Sequence, residues 1–435
     1  MHSDKVNPGD YVEVELIKDS YKGYFLETPD SSKGNILIKL DSGYNVGFNR
    51  KEILNLKLIR KFSEKEFSSE KPKKIEDKPK IGMIITGGTI AARLNPKKGG
   101  VDWLDTPESL FKFYPEIFEI AEISKVEVPF MKASEDMDFK DWRKIAKASQ
   151  KLLNDPEIKG IIITHGTDFL HYTSAALSFF LKDLNKPVVL TYSQRSIDRA
   201  SSDANLNLKC SALVAISEMA EVMLVGHATT NDDFCYAMPG TKVRKLHSSR
   251  RDAFKIINAK PFAKISLDNN ENSGVIEIIK EYNKRDNKKK VKLDAVFEEK
   301  VALVKIHPGQ DPNILDYYVK KKYGGIVLEA SGLGHVPTSR SKNNWIKKLK
   351  EIQDKGIIVC ITSQTIYGRV DGFVYSNGRE VLKTGAIYLE DMLSETAFVK
   401  LAWVLGHKEW SKGKELVKEK MIQNFSHEIN NKLEF

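Results

Sequence analysis

The sequence predicts an α/β protein: a two-domain core with mostly parallel sheets, preceded by a small all-β barrel. Three observations predict it. From about residue 80 onward, continuous apolar strands alternate with amphipathic helical stretches, the pattern of a parallel sheet covered on both faces. The first 60 or so residues instead carry short strands between turn signals. Between the two lies KFSEKEFSSEKPKKIEDKPK, which is charged, contains two prolines and has almost no apolar periodicity, so it reads as an exposed linker.

In order along the chain, Val12, Val14 and Leu16 alternate with acidic neighbours as in a half-buried strand, and Ile36, Leu37, Ile38 and Leu40 form a second. Asn7-Pro8-Gly9-Asp10, Tyr21-Lys22-Gly23, Thr28-Pro29-Asp30 and Asp41-Ser42-Gly43 read as turns. Residues 1–62 are therefore expected to be a docking barrel and 63–79 a linker. Strands are expected at Ile81–Ile85, Gly160–Thr164, Pro187–Leu190 and Val222–Val225, with helices at Phe139–Leu153 and Tyr172–Leu184. These make residues 80–268 a first α/β domain, which carries the active site. Polar, lysine-rich residues 269–294 read as a second linker. A second α/β domain follows over 295–412, with strands at Val301–Ile306, Gly325–Leu328 and Ile357–Ile361 and a last helix at Leu393–Leu405. Residues 413–435 read as a basic helical tail.

Composition narrows the function classes. At 435 residues, 41% hydrophobic and 29% charged, the chain has the make-up of a soluble globular protein. No apolar run approaches the roughly 20 residues that cross a bilayer. MHSDKVNPGD also lacks the apolar core of a signal peptide, so the expected location is cytoplasmic, with no membrane partner. Cys210, Cys235 and Cys360 are far apart and form no CxxC pair, which points to buried free thiols. The histidines offer no HExxH spacing, so no metal is expected. A net charge of +10 favours polyanionic partners and makes RNA a candidate. Lysine clusters such as Lys288-Lys289-Lys290-Val291-Lys292 explain the same charge as solvated surface.

Two strand-end motifs carry chemistry. Thr86-Gly87-Gly88-Thr89-Ile90-Ala91 follows the strand ending at Ile85, where ligands of open α/β sheets gather. Its glycines let the backbone approach a small substrate, and Thr89 offers a hydroxyl nucleophile. A phosphate loop is the competing reading, but neither GxxxxGK[ST] nor GxGxxG spacing is present. Thr164-His165-Gly166-Thr167-Asp168 follows a second strand and sets a hydroxyl beside a carboxylate; the alternative is a plain helix cap. Lys245, in a basic loop, becomes interesting as a proton acceptor paired with Asp168.

Together, TGGTIA, HGTD and the later lysine resemble the bacterial-type L-asparaginase/glutaminase family over roughly Lys80–His407. Within it the nearest likeness is the archaeal GatD branch, the amidase half of glutamyl-tRNA(Gln) amidotransferases, marked by the β domain ahead of the core. The stretch from Leu389-Glu390-Asp391-Met392-Leu393 through Glu395-Thr396-Ala397 to Gly406 is a second mark. The resemblance implies Thr89, Thr167, Asp168 and Lys245 as catalytic residues. It implies Ser134, Glu135 and His335 as substrate-binding, with Glu135 meeting the α-amino group. Arg195 and Asp203 match positions next to the site, and a backbone N–H near Ser193 would join that of Thr167 as an oxyanion hole. One departure stands out. The tyrosine that the family carries on the mobile loop after TGGTIA is missing; its position here is Pro96, and no tyrosine occurs between Thr89 and Tyr114.

The implied function is release of ammonia from glutamine or asparagine. The ammonia would serve a GatE-type partner that holds ATP and Mg²⁺ and makes most contacts to Glu-tRNA(Gln). This chain itself is expected to carry no cofactor and to form a homodimer within a heterotetramer, with the neighbour's second α/β domain contributing to each site. The alternative readings are a stand-alone cytoplasmic L-asparaginase and an inactive RNA-binding or docking protein.

Overall fold

A computed structural model of the protein describes residues 6–26, 34–40, 45–61, 78–95, 100–103, 116–196, 202–268 and 273–433. Strands β1 (Tyr11–Glu15), β2 (Ser20–Leu26), β3 (Asn35–Leu40), β4 (Asn45–Asn49) and β5 (Asn55–Arg60) form one antiparallel sheet in the order β4-β3-β2-β1-β5. Strict alternation in β1 turns Val12 and Val14 inward, where they meet Ile36, Ile38 and Phe48 in a small core of their own. Tyr21-Lys22-Gly23, expected as a turn, lies inside β2. The glycine is there for close approach, because a Cβ at Gly23 would lie 2.3 Å from the Lys39 carbonyl oxygen on β3. The expected turns at Thr28-Pro29-Asp30 and Asp41-Ser42-Gly43, and nearly all of the 63–79 linker, lie outside the described residues.

The first α/β region runs through β6 (Lys80–Ile85), β7 (Ala92–Asn95), β8 (Gly100–Trp103), α1 (Ile117–Ile120), β9 (Glu122–Glu127), α2 (Phe139–Leu153), β10 (Ile161–Thr164) and α3 (Leu170–Phe180). It continues with β11 (Leu181–Lys182), β12 (Val188–Thr191), α4 (Ala204–Ile216), β13 (Val222–His227), β14 (Cys235–Pro239), β15 (Val243–Lys245), β16 (Phe254–Ile256), β17 (Ala263–Leu267), β18 (Gly274–Ile278) and β19 (Lys292–Leu293). Eight of these strands form one sheet in the order β18-β17-β14-β13-β12-β10-β6-β9. The five from β13 to β9 are parallel, and the three beyond β13 turn antiparallel. Buried side chains line both faces at β6, β10, β12 and β13, which is why these strands read as unbroken apolar runs; β9, at the edge, is only half-buried. Helix α2 occupies the expected span and starts on a capping box between Asp138 and Asp141. Helix α3 covers Leu170–Phe180 rather than Tyr172–Leu184, because the chain passes at Leu181 into the short strand β11.

Residues 269–294, expected as a linker, carry sheet structure. β18 pairs antiparallel with β17 at the edge of the large sheet, and β19 pairs with β11. An edge strand exposed on one side tolerates polar residues, so its composition hid it.

The second α/β region comprises β20 (Val301–Lys305), α5 (Leu315–Lys320), β21 (Gly325–Ala330), α6 (Trp345–Asp354), β22 (Ile358–Ser363), α7 (Ser376–Lys383), β23 (Ile387–Tyr388) and α8 (Ser394–Gly406). Its four strands are all parallel, in sequence order. Helix α8 packs back on α3, and Trp403, fully buried, stacks on Phe179 with ring centroids 5.4 Å apart. The tail is helical only over α9 (Lys414–Ile422). Beyond it an irregular segment is tied down by Glu428, whose carboxylate is fully buried against Lys400 at 2.7 Å. No helix among the described residues is long and apolar enough to cross a membrane. Cys210, Cys235 and Cys360 are all buried and free.

Candidate active site

The two threonine motifs meet because β6 and β10 are hydrogen-bonded parallel neighbours, with Ile85 in register with Thr164. Their carboxyl ends therefore release TGGT and HGTD side by side. Thr86 locks the two loops: its N–H (3.2 Å) and its hydroxyl (2.9 Å) both donate to the Thr164 carbonyl oxygen. The glycines then let backbone lie on backbone. Gly88 sits at φ 84°, ψ 173°, a region open almost solely to glycine, and a Cβ there would come within 2.4 Å of Gly166 N and Cα. The residue before Thr89 thus rests against the residue before Thr167. Gly87, at φ +112°, approaches the Lys132 carbonyl in the same way, so the segment leading to Ser134 forms a third wall.

Ser134 is buried, and its Oγ accepts hydrogen bonds from the Asp168 N–H (3.1 Å) and the Phe169 N–H (3.3 Å). It thereby caps the turn entering α3 from another part of the chain, and so holds Thr167 and Asp168 in place. Glu135 is exposed beside it, 3.3 Å from the Ser134 hydroxyl. Lys245 closes the group. Its Nζ donates to Thr167 Oγ1 at 2.8 Å and to Asp168 Oδ1 at 2.7 Å. The lysine is 10% exposed and the aspartate 59%, so the hydrogen-bonded chain runs from a sheltered hydroxyl outward to solvent.

His165 was given no role by the sequence beyond its place in the motif. Its ring is fully buried; Nδ1–H donates to the Gly166 carbonyl (2.7 Å), and Nε2 accepts from the Thr173 hydroxyl (2.9 Å). Burial holds its pKa down at about 4. His171, one turn into α3, is also buried and is pushed to about 3, by desolvation first and then by the charges of Arg244 and Lys245. Both imidazoles are neutral beside the site. Burial likewise raises the Tyr172 phenol and the Glu395 carboxyl.

One expectation is narrowed, and His335 stands apart, as a residue expected to serve a neighbouring chain would. The Gln194 and Arg195 N–H groups, next to Ser193, both donate to the buried Asp203 carboxylate at 3.0–3.1 Å, which removes them as oxyanion donors. His335 is not joined to this cluster within the chain. It lies in the loop after β21, bridged to Ser331, with its ring 5.4 Å from that of Tyr375. Pro96, the tyrosine position of the mobile loop, lies outside the described residues; β7 and β8 on either side of it form a hairpin.

Arranged on this mixed sheet, the site belongs to the asparaginase class. Residues 80–276 match the family "Asparaginase, N-terminal" and 300–417 match "Glutaminase/Asparaginase C-terminal domain". The thermostable L-asparaginase from Thermococcus kodakarensis superposes with a TM-score of 0.69 at 29% identity, covering 81% of this chain and 99% of that one. Residues 6–59 match the family "GatD N-terminal domain". The glutamyl-tRNA(Gln) amidotransferase D subunits of Pyrococcus abyssi and Pyrococcus furiosus are 46% and 45% identical, each alignment covering 98% of this chain and 95% of the relative. The chain belongs to this GatD family of amidotransferase subunits.

Proposed function

We propose that this chain is the glutaminase/asparaginase subunit of a tRNA-dependent amidotransferase. It hydrolyses a side-chain amide through threonine nucleophiles and supplies ammonia for conversion of Glu-tRNA(Gln) to Gln-tRNA(Gln). The observation that carries the reading is the Lys245 ammonium group within hydrogen-bond reach of both Thr167 Oγ1 and Asp168 Oδ1, on a loop packed against that of Thr89.

Thr89 is the first nucleophile. Its Oγ bonds to the amide carbon and the C–N bond breaks. The hydroxyl proton reaches the leaving nitrogen, which departs as ammonia. Water then cleaves the ester and restores the threonine. The Thr167-Asp168-Lys245 relay moves the protons, and the Thr167 N–H helps hold the oxyanion. Ser134 and Glu135 bind the α-substituents of glutamine or asparagine. A GatE-type partner holds ATP and Mg²⁺, phosphorylates the glutamate on Glu-tRNA(Gln), and makes most of the tRNA contacts. Two copies of this chain pair within a heterotetramer, and His335 of each serves its neighbour's site. Exposed Tyr375 (58%), whose ring lies against that of His335, and the nearby exposed Phe373 (67%) in the same segment support an apolar contact there.

Near-full coverage of the GatD relatives favours this reading over a stand-alone asparaginase. Ammonia release from glutamine and asparagine should be measured for Thr89→Ala, Thr167→Ala, Asp168→Asn and Lys245→Ala, alone and with a copurified partner and Glu-tRNA(Gln). Loss of general acid–base help costs about 10²–10⁴ in kcat. Near-normal turnover in Asp168→Asn or Lys245→Ala would sink the relay.

A further inference from the structure

We infer that the Arg244–Glu395 ion pair is a positioning device for Lys245, through which the second α/β region sets the geometry of proton transfer. The inference rests on the threonine–lysine reading of the site.

Lys245 ends the three-residue strand β15, which pairs with β16 in a two-stranded ribbon outside the eight-stranded sheet. The main sheet that carries Thr89 and Thr167 therefore does not hold the lysine in register. Besides its pairing within the ribbon, contacts from the second α/β region and the tail hold it. The Thr396 hydroxyl donates to the Thr241 carbonyl at 2.8 Å, and the Thr241 hydroxyl donates to the Ser426 carbonyl at 2.7 Å. Lys242 Nζ lies 2.7 Å from Asp391 Oδ2, both side chains fully buried.

Strand alternation then sends successive side chains to opposite sides. Lys245 reaches Thr167 and Asp168; Arg244 turns away to Glu395 in the first turn of α8, Nε to Oε1 at 2.9 Å. Arg244 also lies near enough to His171 and Tyr172 on α3 to bear on their titration. It is wedged in the seam where α3 packs on α8, and there the Tyr172 and Phe398 rings stand 6.1 Å apart.

Glu395 is an expensive residue in that seam. Its side chain is 8% exposed, and the second carboxylate oxygen, Oε2, is buried without a hydrogen-bond partner among the described residues. A buried charge with half its acceptor capacity unused contributes less to stability than an apolar pair of the same volume. What the pair does supply is a fixed, directional tether on the residue next to Lys245. Displacement by about 1 Å is enough to cost on the order of 10²-fold in rate, and α8 controls that displacement. Arg244 and Lys245 both bear on the buried His171, and the Glu395 carboxylate offsets the Arg244 part of that positive charge. Among the described residues Asp168 contacts Lys245 directly, the neutral His171 and Tyr172 lie near Arg244, and Glu329 and Lys305 bear on Glu395 from the second α/β region.

The test uses the full chain with whatever copurifies, reading kcat, KM, the pH profile of kcat and the melting temperature. Glu395→Gln keeps the shape and removes the charge. It is expected to lower kcat about tenfold or more while KM stays within about twofold. The pH limb of kcat should move to lower pH, because loss of the Glu395 carboxylate leaves the surroundings of the site more positive and disfavours uptake of a proton there. The double variant Arg244→Gln/Glu395→Gln removes both charges and should return the limb to its wild-type position with kcat still low. Should Glu395→Gln fail to fold, Glu395→Asp and Arg244→Lys retain the charges and alter reach, so kcat should fall with the limb unmoved. Wild-type kcat and profile in Glu395→Gln, or a kcat loss that merely follows melting temperature with KM, overturns the inference. Lys245→Ala as active as wild type defeats the catalytic reading itself; Lys245→Ala inactive beside a normal Glu395→Gln defeats the tether alone.

Discussion

At the scale of single residues, the site depends on groups that do no chemistry. Gly88 has a backbone conformation open to glycine alone and no space for a methyl group against Gly166. Gly88→Ala is expected to cost about 1–3 kcal/mol from backbone strain. Pushing Thr89 away from Thr167 should also lower kcat by about 10²-fold. Urea midpoints and ammonia release measure the two parts separately, and a variant with wild-type kcat would show that the loop contact does not set the threonine geometry. His165 and His171 make a pH prediction. In the unfolded chain a histidine titrates near 6.5, whereas burial holds these two at about 4 and about 3. Between those values the unfolded state binds more protons than the folded one, so stability falls as pH drops below about 6.5. The slope is about 1.4 kcal/mol per pH unit for each histidine, and the His165 contribution ends near its folded value while that of His171 continues lower. Denaturation midpoints from pH 7 to 4.5 should show it, and His165→Asn, which retains a donor for the Gly166 carbonyl, should flatten the curve by about half.

At the scale of elements, two fully buried ion pairs fasten the C-terminal third of the chain. Lys242–Asp391 joins the segment before β15 to the turn before α8, with Asn430 donating to both Asp391 oxygens. Lys400–Glu428 joins α8 to the tail, and the Phe425 and Ser426 N–H groups also donate to Glu428. Removing one partner leaves a buried charge alone, so Glu428→Gln is expected to cost about 3–5 kcal/mol. Lys400→Met/Glu428→Gln, which removes both charges and keeps an acceptor for the Phe425 and Ser426 N–H groups, should be milder in thermal denaturation; equal damage from both would place the stability in the packing rather than the charges. The sequence disclosed these elements unevenly, for physical reasons. Strands buried on both faces, such as β10 and β12, announce themselves as apolar runs. β18 did not, because its outer side faces solvent, and Gly23 read as a turn because spacing does not distinguish a bend from a close approach. TGGT and HGTD were visible because chemistry and backbone geometry both constrain neighbouring residues. Arg244 and Glu395 were not, since nothing local ties residues so far apart in the chain; only the docking of α8 on α3 brings them together.

At the scale of the whole molecule, the proposed chemistry and the proposed docking fall on different parts of the chain. The N-terminal sheet has a core of its own, made by Val12, Val14, Ile36, Ile38 and Phe48. The asparaginase from Thermococcus kodakarensis is matched over 99% of its length by 81% of this chain, so an amide-hydrolysing fold of this class is complete without so long a chain. The N-terminal sheet also exposes Ile17 (81%) and Leu54 (68%). They are close in space: the Leu54 N–H donates to the Glu15 carbonyl (2.9 Å), next to the hairpin that carries Ile17. Two large aliphatic side chains bare on so small a sheet are unfavourable in a free monomer and useful in a contact. A chain beginning at residue 62 is therefore expected to fold and to release ammonia from a free amide within a few-fold of the full chain, yet to lose copurification with the amidating partner. Ile17→Ser/Leu54→Ser in the full chain should weaken that association by about 2–4 kcal/mol, as for a buried aliphatic contact, without changing ammonia release. Size-exclusion profiles of the coexpressed proteins decide it. Undiminished association of the truncated chain would move the docking surface onto the α/β core, and loss of amidase activity with association intact would make the N-terminal sheet part of the enzyme rather than its coupling.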